Sequence, residues 1–546
     1  MKINKISKYH VLVLLLIITV GIFLRTYHFK DWLQFNPDQV RDATVINDVI
    51  SHGKALPLLG TIAGGTNFHL GPIFYYFQYI AAIVFGNSPE KLAYPDLFFS
   101  ILAIPLLFLF LKKYFSNSVS LALVTLFSVS YFAVINSRFA WNPNSIPFFV
   151  LLFLYALLEI MNPKNREVYH WSLLAGLALG VGIQLHTLLL LILPVVTIIV
   201  LVYLTKKKNV NWKSAVIVFL FAIFLNIPQI LSEIKTHGVN TSEFFVGSTT
   251  QTNKFTDIGY NIENIISCQA EFNLHMISSY ENKERCASIL NAEKSVIKKY
   301  AGVPGNFSNE YLFILSEILG ILFSLGGYIL LAYYFYKEKD SLKRDFLGLI
   351  IVFNLVSMVA LVPVASHITM RYFIILFFMP LALLGFWIKF LIEKNRKIFM
   401  AVAPIVFGIL LMTNLFVVVK SAVPYMQGLV NDANNSILGE TQLMADFIIN
   451  NSGNQSVAYM TGEKFYVKRF FPALGYISER SGLRFVKLMN ENSVLKQQSA
   501  QQLPIFYIAN TGATNYKTGD IIDNCVIISL SKFNNITIFN LKNCEK

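Results

Sequence analysis

Two carboxylates, an arginine and a glutamine stand close together in the stretch NPDQVRD, residues 36–42. On a helix, Asp38, Arg41 and Asp42 share one face because they are spaced i, i+3 and i+4. A carboxylate can act as a general base, and an arginine fork can bind the oxygens of a phosphate group. The residue types and their spacing therefore indicate proton transfer beside a bound anion.

The same stretch is also a well-formed helix start. Asn36 suits the N-cap, a proline follows it, and Gln39 stands at the capping-box position. Asp38 then has a structural interpretation as a first-turn carboxylate, and Arg41 with Asp42 has one as a solvated ion pair. Because the stretch follows a hydrophobic segment directly, we expect the helix at a membrane surface, where its polar face is more useful in a site than in bulk water.

Long apolar runs without charge dominate the chain. Of its 546 residues, 55% are hydrophobic and 14% are charged, against roughly 25% charged in ordinary soluble domains. Runs of about 20 apolar residues cross the bilayer as helices, so the composition predicts a polytopic α-helical membrane protein. The net charge of +14 lies mainly in short loops between apolar runs, as the positive-inside rule expects, and no nucleic-acid-binding motif accompanies it.

One ambiguous segment, 68–86, decides the topology. If it lies at the membrane surface as a juxtamembrane helix, the amino-terminal lysines and all later basic loops fall on one side. The positive-inside bias then favours about eleven crossings, with the amino terminus in the cytoplasm and the carboxyl terminus outside. The predicted crossings are 7–25, 94–111, 119–137, 144–161, 171–184, 187–205, 214–231, 310–336, 346–364, 371–391 and 398–420.

This topology divides the chain into a membrane domain, residues 1–420, and an extracytoplasmic tail, residues 421–546. The membrane domain has two long outer loops, 25–93 and 232–309. In the tail, QSVAYMT, PIFYIAN, CVIISL and ITIFNL are typical of short buried strands, with helical patterns near 440–451 and 466–480. We expect the tail to form a small α/β domain.

All four cysteines lie in polar segments that this topology places outside. Disulfides between Cys268 and Cys286 and between Cys525 and Cys544 would suit an oxidising compartment. Connectivity is not fixed by sequence, and free thiols are the alternative.

Further polar residues recur at the predicted outer ends of the helices. Ionisable residues beside membrane segments are by default functional candidates. Each also has a structural interpretation: an arginine can snorkel to headgroups, a histidine can bond to backbone, and asparagines around a proline can form a turn. Together, several cations and carboxylates at one interface indicate a site for a phosphate-bearing lipid. The candidates are His69, Arg138, Asn142, His186, His367 and Arg371.

Five motifs together resemble the GT-C superfamily of membrane glycosyltransferases, in particular the branch of protein O-mannosyltransferases and lipid A aminoarabinose transferases. The motifs are FNPDQVRDATVINDVISHG, HLGPIFYY, SRFAWNPNSIP, LALGVGIQLHT and MRYFIILFFMPLALLGF. The resemblance covers about residues 7–420, and no motif in the tail matches. It implies that Asp38 is the general base, that the first outer loop carries juxtamembrane helices, and that Arg371 and Tyr372 lie near the lipid phosphate. Gln39 stands where many relatives have glutamate, which leaves a divalent metal without support.

The resemblance implies transfer of a sugar from a polyprenyl-phosphate-linked donor to an acceptor hydroxyl on the outer face of the plasma membrane, with inversion of the anomeric centre. Asp38 would take the hydroxyl proton, while Arg41, Arg138, His367 and Arg371 are candidates to hold the leaving phosphate. The acceptor could be a lipid, a protein or an envelope glycan, and the oligomeric state stays open. The alternative is a transporter or flippase of a lipid-linked saccharide. Transporters place polar residues near the midplane, whereas here they gather at the outer ends, which favours the enzyme.

Overall fold

The computed structural model of the chain describes residues 7–208, 211–252, 258–279, 286, 307–426, 436–488, 503–513, 515–533 and 535–544. Apolar helices form one bundle, with side chains such as Ile104, Leu126 and Phe153 buried in its core. Leu12 and Leu16 on the first helix are exposed, and in a bilayer such side chains face the acyl chains. The bundle is therefore built for lipid outside and close packing inside.

The described helices of the membrane domain follow one another with short connections. They are α1 (Lys8–Thr26), α2 (Pro37–His52), α3 (Ile73–Phe85), α4 (Pro89–Leu92), α5 (Tyr94–Leu111), α6 (Asn117–Val129), α7 (Tyr131–Ile135), α8 (Ile146–Met161), α9 (Val168–Leu185), α10 (Thr187–Lys206), α11 (Trp212–Leu225), α12 (Ile227–Lys235), α13 (Val239–Thr252), α14 (Ile258–Ile277), α15 (Phe307–Lys337), α16 (Ser341–Leu361) and α17 (Met379–Met426). Turns of 3₁₀ helix cover Asn142–Ser145, Val362–His367 and Met370–Leu376.

Eight helices in the described part of the chain are long and apolar enough to cross a membrane, and α11 with α12, which meet at a 59° bend, form a ninth candidate. The backbone of α17 breaks at Asn395. Dividing α17 there and adding α6, which α7 extends, brings the candidates to the predicted number. The 13 residues of α3 span only about 20 Å, too short for roughly 30 Å of hydrocarbon. The predicted polytopic helical fold is confirmed.

The basic loops that the charge pattern assigns to one side do lie at one end of the bundle. Lys113, just after α5, pairs with Glu159 near the end of α8. Lys207, just after α10, lies 3.1 Å from Asp345 in the first turns of α16. Lys389 on α17 reaches the turn that follows α5. We predict that this end faces the cytoplasm.

One helix of the predicted outer loop 232–309 packs among the membrane helices instead. In α14, Gln269 Nε2 donates to Asn354 Oδ1 on α16 at 2.9 Å and lies 2.7 Å from the Tyr328 hydroxyl on α15. A Cβ atom on Gly320 of α15 would lie 2.9 Å from the Ala270 carbonyl oxygen, so the two helices are in close contact. The polar residues that made α14 look like part of a soluble loop are satisfied by buried side chains.

The tail is an α/β domain with a six-stranded mixed sheet in the order β2-β1-β3-β6-β5-β4. β1 pairs in parallel with β2 and β3, and the remaining pairs are antiparallel. The strong apolar patterns predicted β1, β3, β5, β6 and both helices, whereas β2 and β4 are too short to show one. The elements are α18 (Leu438–Asn451), β1 (Val457–Gly462), α19 (Lys464–Arg480), β2 (Arg484–Lys487), β3 (Ile505–Asn510), β4 (Ile521–Ile522), β5 (Cys525–Phe533) and β6 (Ile536–Lys542).

Two disulfides join the cysteines of the chain. Cys268 pairs with Cys286, and Cys525 pairs with Cys544, which is the pairing proposed from the sequence. The second disulfide ties the start of β5 to the residues after β6, so the edge of the tail sheet is closed covalently.

The first outer loop is folded tightly around two glycines before it enters α3. Gly60 N donates to Leu70 O at 2.7 Å, and a Cβ atom on Gly60 would lie 2.1 Å from the carbonyl oxygen of Gly71. A Cβ atom on Gly71 would lie 2.3 Å from the side chain of Gln184, which also accepts a hydrogen bond from Ile73 N at 3.1 Å. The loop is thereby fixed on the end of α9.

Replacing Gly60 by alanine tests this packing. Gly60→Ala places a methyl group against backbone, and overpacking of this kind costs about 1–3 kcal/mol. We expect a lower melting temperature in detergent. Gly64→Ala is the matched control because a Cβ atom there meets nothing within 4 Å. Equal melting temperatures for the two variants would contradict the close approach of residues 60 and 71.

Candidate active site

The first turn of α2 presents the Asp38 carboxylate to solvent. Asn36 is the N-cap, and Gln39 Oε1 accepts a hydrogen bond from Asn36 N at 3.1 Å, as in a capping box. Gln39 Nε2 also donates to Ala140 O at 3.0 Å. Gln39 is buried by these contacts, whereas the Asp38 side chain keeps 62% of its surface exposed. Gln39 therefore belongs to the helix cap, and Asp38 is accessible.

Arg41 bridges the two carboxylates of α2. Its Nη1 lies 3.1 Å from Asp38 Oδ1, and its Nε and Nη2 lie 2.9 and 2.8 Å from Asp42 Oδ1. Asp42 is fully buried and also accepts a hydrogen bond from the Tyr75 hydroxyl on α3 at 3.1 Å. The polar face predicted from the i, i+3, i+4 spacing is present, with one carboxylate buried beneath Arg41 and the other exposed.

Burial sets the electrostatics of this group. Burial raises the pKa of Asp42 to about 6, against the opposing effects of the Arg41 charge and of hydrogen bonds from Arg41 and Tyr75. Burial, followed by the nearby Asp42 charge, raises the pKa of Tyr75. For Arg41, burial lowers the pKa, but the Asp42 carboxylate outweighs it and the pKa is raised. Arg41 therefore keeps its charge while Asp42 titrates near neutrality.

An open cavity of about 460 Å³ lies beside these residues, within the range of about 300–1,000 Å³ that is typical of small-molecule sites. Its polar wall is formed by Arg41, His69, Tyr75 and Ser232, and the rest is mainly apolar. The complete lining is Arg41, Val45, Pro57, Leu58, Leu59, Gly60, Ile62, His69, Tyr75 and Ser232. Both predicted outer loops contribute, because Ser232 begins the second one.

The position of His69 in this wall is fixed by the second outer loop. Asn240 on α13 accepts from His69 N at 2.7 Å and donates to His69 O at 3.0 Å. Phe68 packs edge-on against Phe244 of the same helix, with ring centres 5.1 Å apart. α13 thus holds the hairpin that carries His69.

Arg371 lies on a second polar strip that is linked to α2. It is exposed, and its guanidinium carbon lies 5.7 Å from the centre of the Trp141 ring. Trp141 N donates to the buried Asp96 carboxylate at 3.0 Å, and the preceding residue, Ala140, accepts the Gln39 amide. The segment 140–141 therefore connects the start of α2 with the predicted phosphate-binding arginine.

His186 occupies the turn between α9 and α10 and caps α10. Its ring accepts a hydrogen bond from Leu188 N at 3.1 Å and lies 5.9 Å, centre to centre, from the Tyr372 ring. Burial, followed by the charge of Arg371, lowers the pKa of His186 to about 4. The ring is neutral at physiological pH, so it supplies no positive charge for a phosphate.

Arg138 and Asn142 serve backbone carbonyls at helix ends. Arg138 is buried and donates to Leu24 O at 3.0 Å and to Tyr27 O at 2.7 Å. Asn142 Nδ2 donates to Leu185 O at 2.6 Å. Neither residue lines the cavity. The structure therefore does not bring these two candidates to Asp38, and the sequence could not distinguish a backbone partner from a substrate.

The side chain of His367 lies outside the described part of the structure. Among the described residues, no group of three or more histidine, cysteine, aspartate or glutamate side chains could hold a metal ion. Hard cations prefer several carboxylates, and here Arg41 lies between Asp38 and Asp42. This pair of carboxylates does not fit a metal.

Three residues of the site region were missed by sequence reasoning. Tyr75 reaches Asp42, Asn240 clamps His69, and Arg469 in the tail donates to Asn36 Oδ1 at 2.7 Å. Tyr75 stands in a quoted motif, so its place next to Gly71 and Pro72 was a usable signal. Asn240 and Arg469 are far away in the chain, and their local sequence indicates only surface helices.

The raised pKa of Asp42 predicts a specific pH dependence of stability. Between about pH 4 and 6 the unfolded chain has lost the Asp42 proton while the folded chain retains it, so stability falls as pH rises, by about 1.4 kcal/mol per pH unit. Asp42→Asn should remove this part of the slope in melting temperatures measured from pH 4 to 7.

Tyr75→Phe provides the second test of the same group. It removes a hydrogen bond to the ionised carboxylate, so the pKa of Asp42 should rise further and the decline in stability should extend to higher pH. Identical pH profiles for the wild type and both variants would show that Asp42 does not titrate in this range.

Comparison with known proteins supports the resemblance drawn from the motifs. The sequence profile of the dolichyl-phosphate-mannose-protein mannosyltransferase family matches residues 69–231. No protein of curated function matches the chain at a significant level.

Several solved structures share the architecture at low identity. ArnT from Cupriavidus metallidurans bound to undecaprenyl phosphate is 10% identical with a TM-score of 0.51, and the match covers 97% of this chain and 98% of ArnT. The oligosaccharyltransferase of Archaeoglobus fulgidus in complex with Zn and sulfate is 14% identical with a TM-score of 0.50, covering 87% of this chain and 62% of that one. AglB from the same organism, in complex with an inhibitory peptide and a dolichol-phosphate, is 12% identical with a TM-score of 0.50, covering 92% and 69%.

The motif order, the matching profile and the shared architecture agree, and by its fold the chain belongs to the GT-C superfamily of membrane glycosyltransferases.

Proposed function

We propose that the chain transfers a sugar from a polyprenyl-phosphate-linked donor to an acceptor hydroxyl. One observation carries the proposal: the exposed Asp38 carboxylate is held 3.1 Å from Arg41, and Arg41 forms part of the wall of a cavity of about 460 Å³. A base next to a fixed cation and a cavity is what transfer from a phosphate-linked donor needs.

Asp38 is the general base in this proposal. The acceptor hydroxyl loses its proton to the Asp38 carboxylate as the oxygen attacks the anomeric carbon, and the bond from that carbon to the phosphate oxygen breaks. Such a direct displacement inverts the anomeric centre. Arg41, held by buried Asp42 and Tyr75, keeps the Asp38 carboxylate in one orientation.

Arg371 is the cation that we assign to the donor phosphate. It is exposed and lies beside Trp141, which is joined to the start of α2 through Ala140 and Gln39. An arginine fork can bind phosphate oxygens bidentately and stabilise the charge that develops as the phosphate leaves. Arg138 is not assigned this role, because its guanidinium donates to the carbonyls of Leu24 and Tyr27.

A lipid-linked donor is supported by the similar structures and by α12. ArnT and AglB were solved with undecaprenyl phosphate and with a dolichol-phosphate. In this chain, α12 exposes Ile230, Leu231 and Ile234, while Ser232 is buried and lines the cavity. A short helix with an exposed apolar face suits the membrane interface, so the cavity is open to a donor in the leaflet.

The location follows from the predicted topology. The site lies at the end of the bundle opposite the basic loops, which we place outside the plasma membrane, with the amino terminus in the cytoplasm and the tail outside. The acceptor is then an extracytoplasmic lipid, protein or envelope glycan.

Removing the proposed base is the first test. Asp38→Asn keeps the shape of the side chain but not its basicity, so transfer should fall by about 10²–10⁴-fold. The measurement follows radiolabelled polyprenyl-phosphate sugars into candidate acceptors with purified protein in detergent. Asp48→Asn, in which the replaced carboxylate pairs with Lys54 on the same helix, is the matched control and should retain activity.

Near-normal turnover of Asp38→Asn would remove Asp38 from the mechanism. If the wild type forms no glycoside but moves labelled donor across vesicle membranes, the chain is a flippase and the proposed activity is wrong. The configuration of the product, measured by NMR, checks inversion separately.

Loss of Arg371 should weaken donor binding. A charge-assisted hydrogen bond contributes about 1.5–3 kcal/mol, so Arg371→Ala should raise the KM for the donor by about 10- to 100-fold, and Arg371→Lys should restore part of it. Arg344→Ala is the matched control, because Arg344 also stacks on an aromatic ring, that of Phe335, but lies at the opposite end of the bundle. An unchanged KM in Arg371→Ala would exclude contact with the donor.

A further inference from the structure

The tail domain is joined directly to the segment that precedes α2. Phe35 N donates to Ser436 O at 2.8 Å, and Leu438 N donates to Leu33 O at 2.9 Å. Between these bonds, Gln34 faces Ile437 as an antiparallel bridge. Two short extended segments, 33–35 and 436–438, therefore form a miniature sheet between the membrane domain and the tail.

This junction is buried and closely packed. Phe35, Ser436, Ile437 and Leu438 are all at most 2% exposed. The Phe35 ring also lies edge-on to Tyr476 of α19, with centres 5.5 Å apart. The junction is thus a continuous part of the protein core, in contrast to a flexible linker between domains.

The contacts extend to the N-cap of α2. Asn36 Oδ1 lies 2.7 Å from Arg469 Nη2 on α19, and Ser436 N donates to the same oxygen at 3.1 Å. The backbone N–H of Asn36 is bound by Gln39 on the membrane-domain side. The N-cap of the helix is therefore held by the tail through its side chain and by its own helix through its backbone.

We infer that Arg469 is a positioning residue for Asp38, and that the tail domain takes part in the reaction by fixing the first turn of α2. Asp38 lies two residues after Asn36, so a shift of the cap moves the carboxylate with it. The inference rests on the proposed function for its kinetic consequence, but the geometric part stands independently of it. Misplacing a catalytic group by about 1 Å can cost roughly 10²-fold in rate.

The test compares Arg469→Ala with the wild type in two measurements. Hydrogen–deuterium exchange should show faster exchange of the amides at 36–41 in the variant. In the transfer assay, kcat should fall about tenfold or more while the KM for the donor changes less than about twofold, because the donor contacts are intact. Arg469→Lys should recover part of kcat, since it keeps a charged donor near Asn36.

Arg484→Ala is the matched control. Arg484 is an exposed arginine of the same domain at the start of β2. It should change neither the exchange of residues 36–41 nor kcat, which separates loss of the contact to Asn36 from loss of a positive charge on the tail.

A covalent rescue tests positioning directly. The two backbone bonds flank the Gln34–Ile437 pair, which is therefore of the non-hydrogen-bonded kind, with Cα atoms about 4.5 Å apart and within disulfide range. Adding Gln34→Cys and Ile437→Cys to Arg469→Ala, and oxidising the pair, should slow the exchange of residues 36–41 again and restore part of kcat. The double cysteine variant with Arg469 intact shows the effect of the disulfide alone.

Unchanged exchange of residues 36–41 in Arg469→Ala would overturn the inference, whatever the activity. Faster exchange with an unchanged kcat would overturn the kinetic part. If the wild type transfers no sugar to any acceptor while Arg469→Ala still exchanges faster, the proposed function has failed and the positioning of α2 by the tail stands.

Discussion

The buried carboxylate of Asp42 is the constraint on which the site depends. Taking a carboxylate out of water costs several kcal/mol unless a cation and hydrogen-bond donors replace the solvent. Arg41 and Tyr75 meet that requirement, and in doing so they determine where α2 and α3 can lie relative to each other. The orientation of Arg41 follows, because two of its nitrogens are bound to Asp42. The remaining nitrogen then faces Asp38, so the accessible carboxylate is arranged by the inaccessible one.

α2 has 16 residues, and a helix of that length is marginal in water on its own. It is held on three sides by parts of the chain that are far apart in sequence. Tyr75 contacts it from α3, the carbonyl of Ala140 binds Gln39, and Ser436 with Arg469 binds Asn36. The membrane bundle provides two of these supports and the tail domain provides the third. The same helix therefore connects the cavity, the polar strip that leads to Arg371, and the soluble domain.

Local patterns predicted what local physics determines. The cap at Asn36 and Gln39, the shared face of Asp38 and Arg41, and the main strands of the tail all follow from spacing and residue type. The outer polar residues could be predicted to have partners but not which partners. Arg138 and Asn142 look like Arg371 in sequence, since all three are polar residues at helix ends, yet the first two bind backbone carbonyls. Unpaired carbonyls at a helix end attract donors as strongly as a phosphate does, and only the tertiary structure distinguishes the two. α14 shows the converse: its polar residues predicted a soluble loop, but they pair with each other's neighbours inside the bundle.

The distribution of partners also limits how much positive charge the site can offer. Arg41 is shared by two carboxylates, so above the pKa of Asp42 this group carries a net negative charge. His186 is neutral, and the charge of Arg138 is directed to the backbone. Within the described residues, the exposed Arg371 is then the predicted cation best placed to meet a phosphate. This division has a chemical reason. A base must stay unprotonated and free of strong ion pairing to accept a proton, so the cation that binds the leaving group is better placed on a separate strip, joined to α2 by the backbone at 140–141, than next to Asp38 itself.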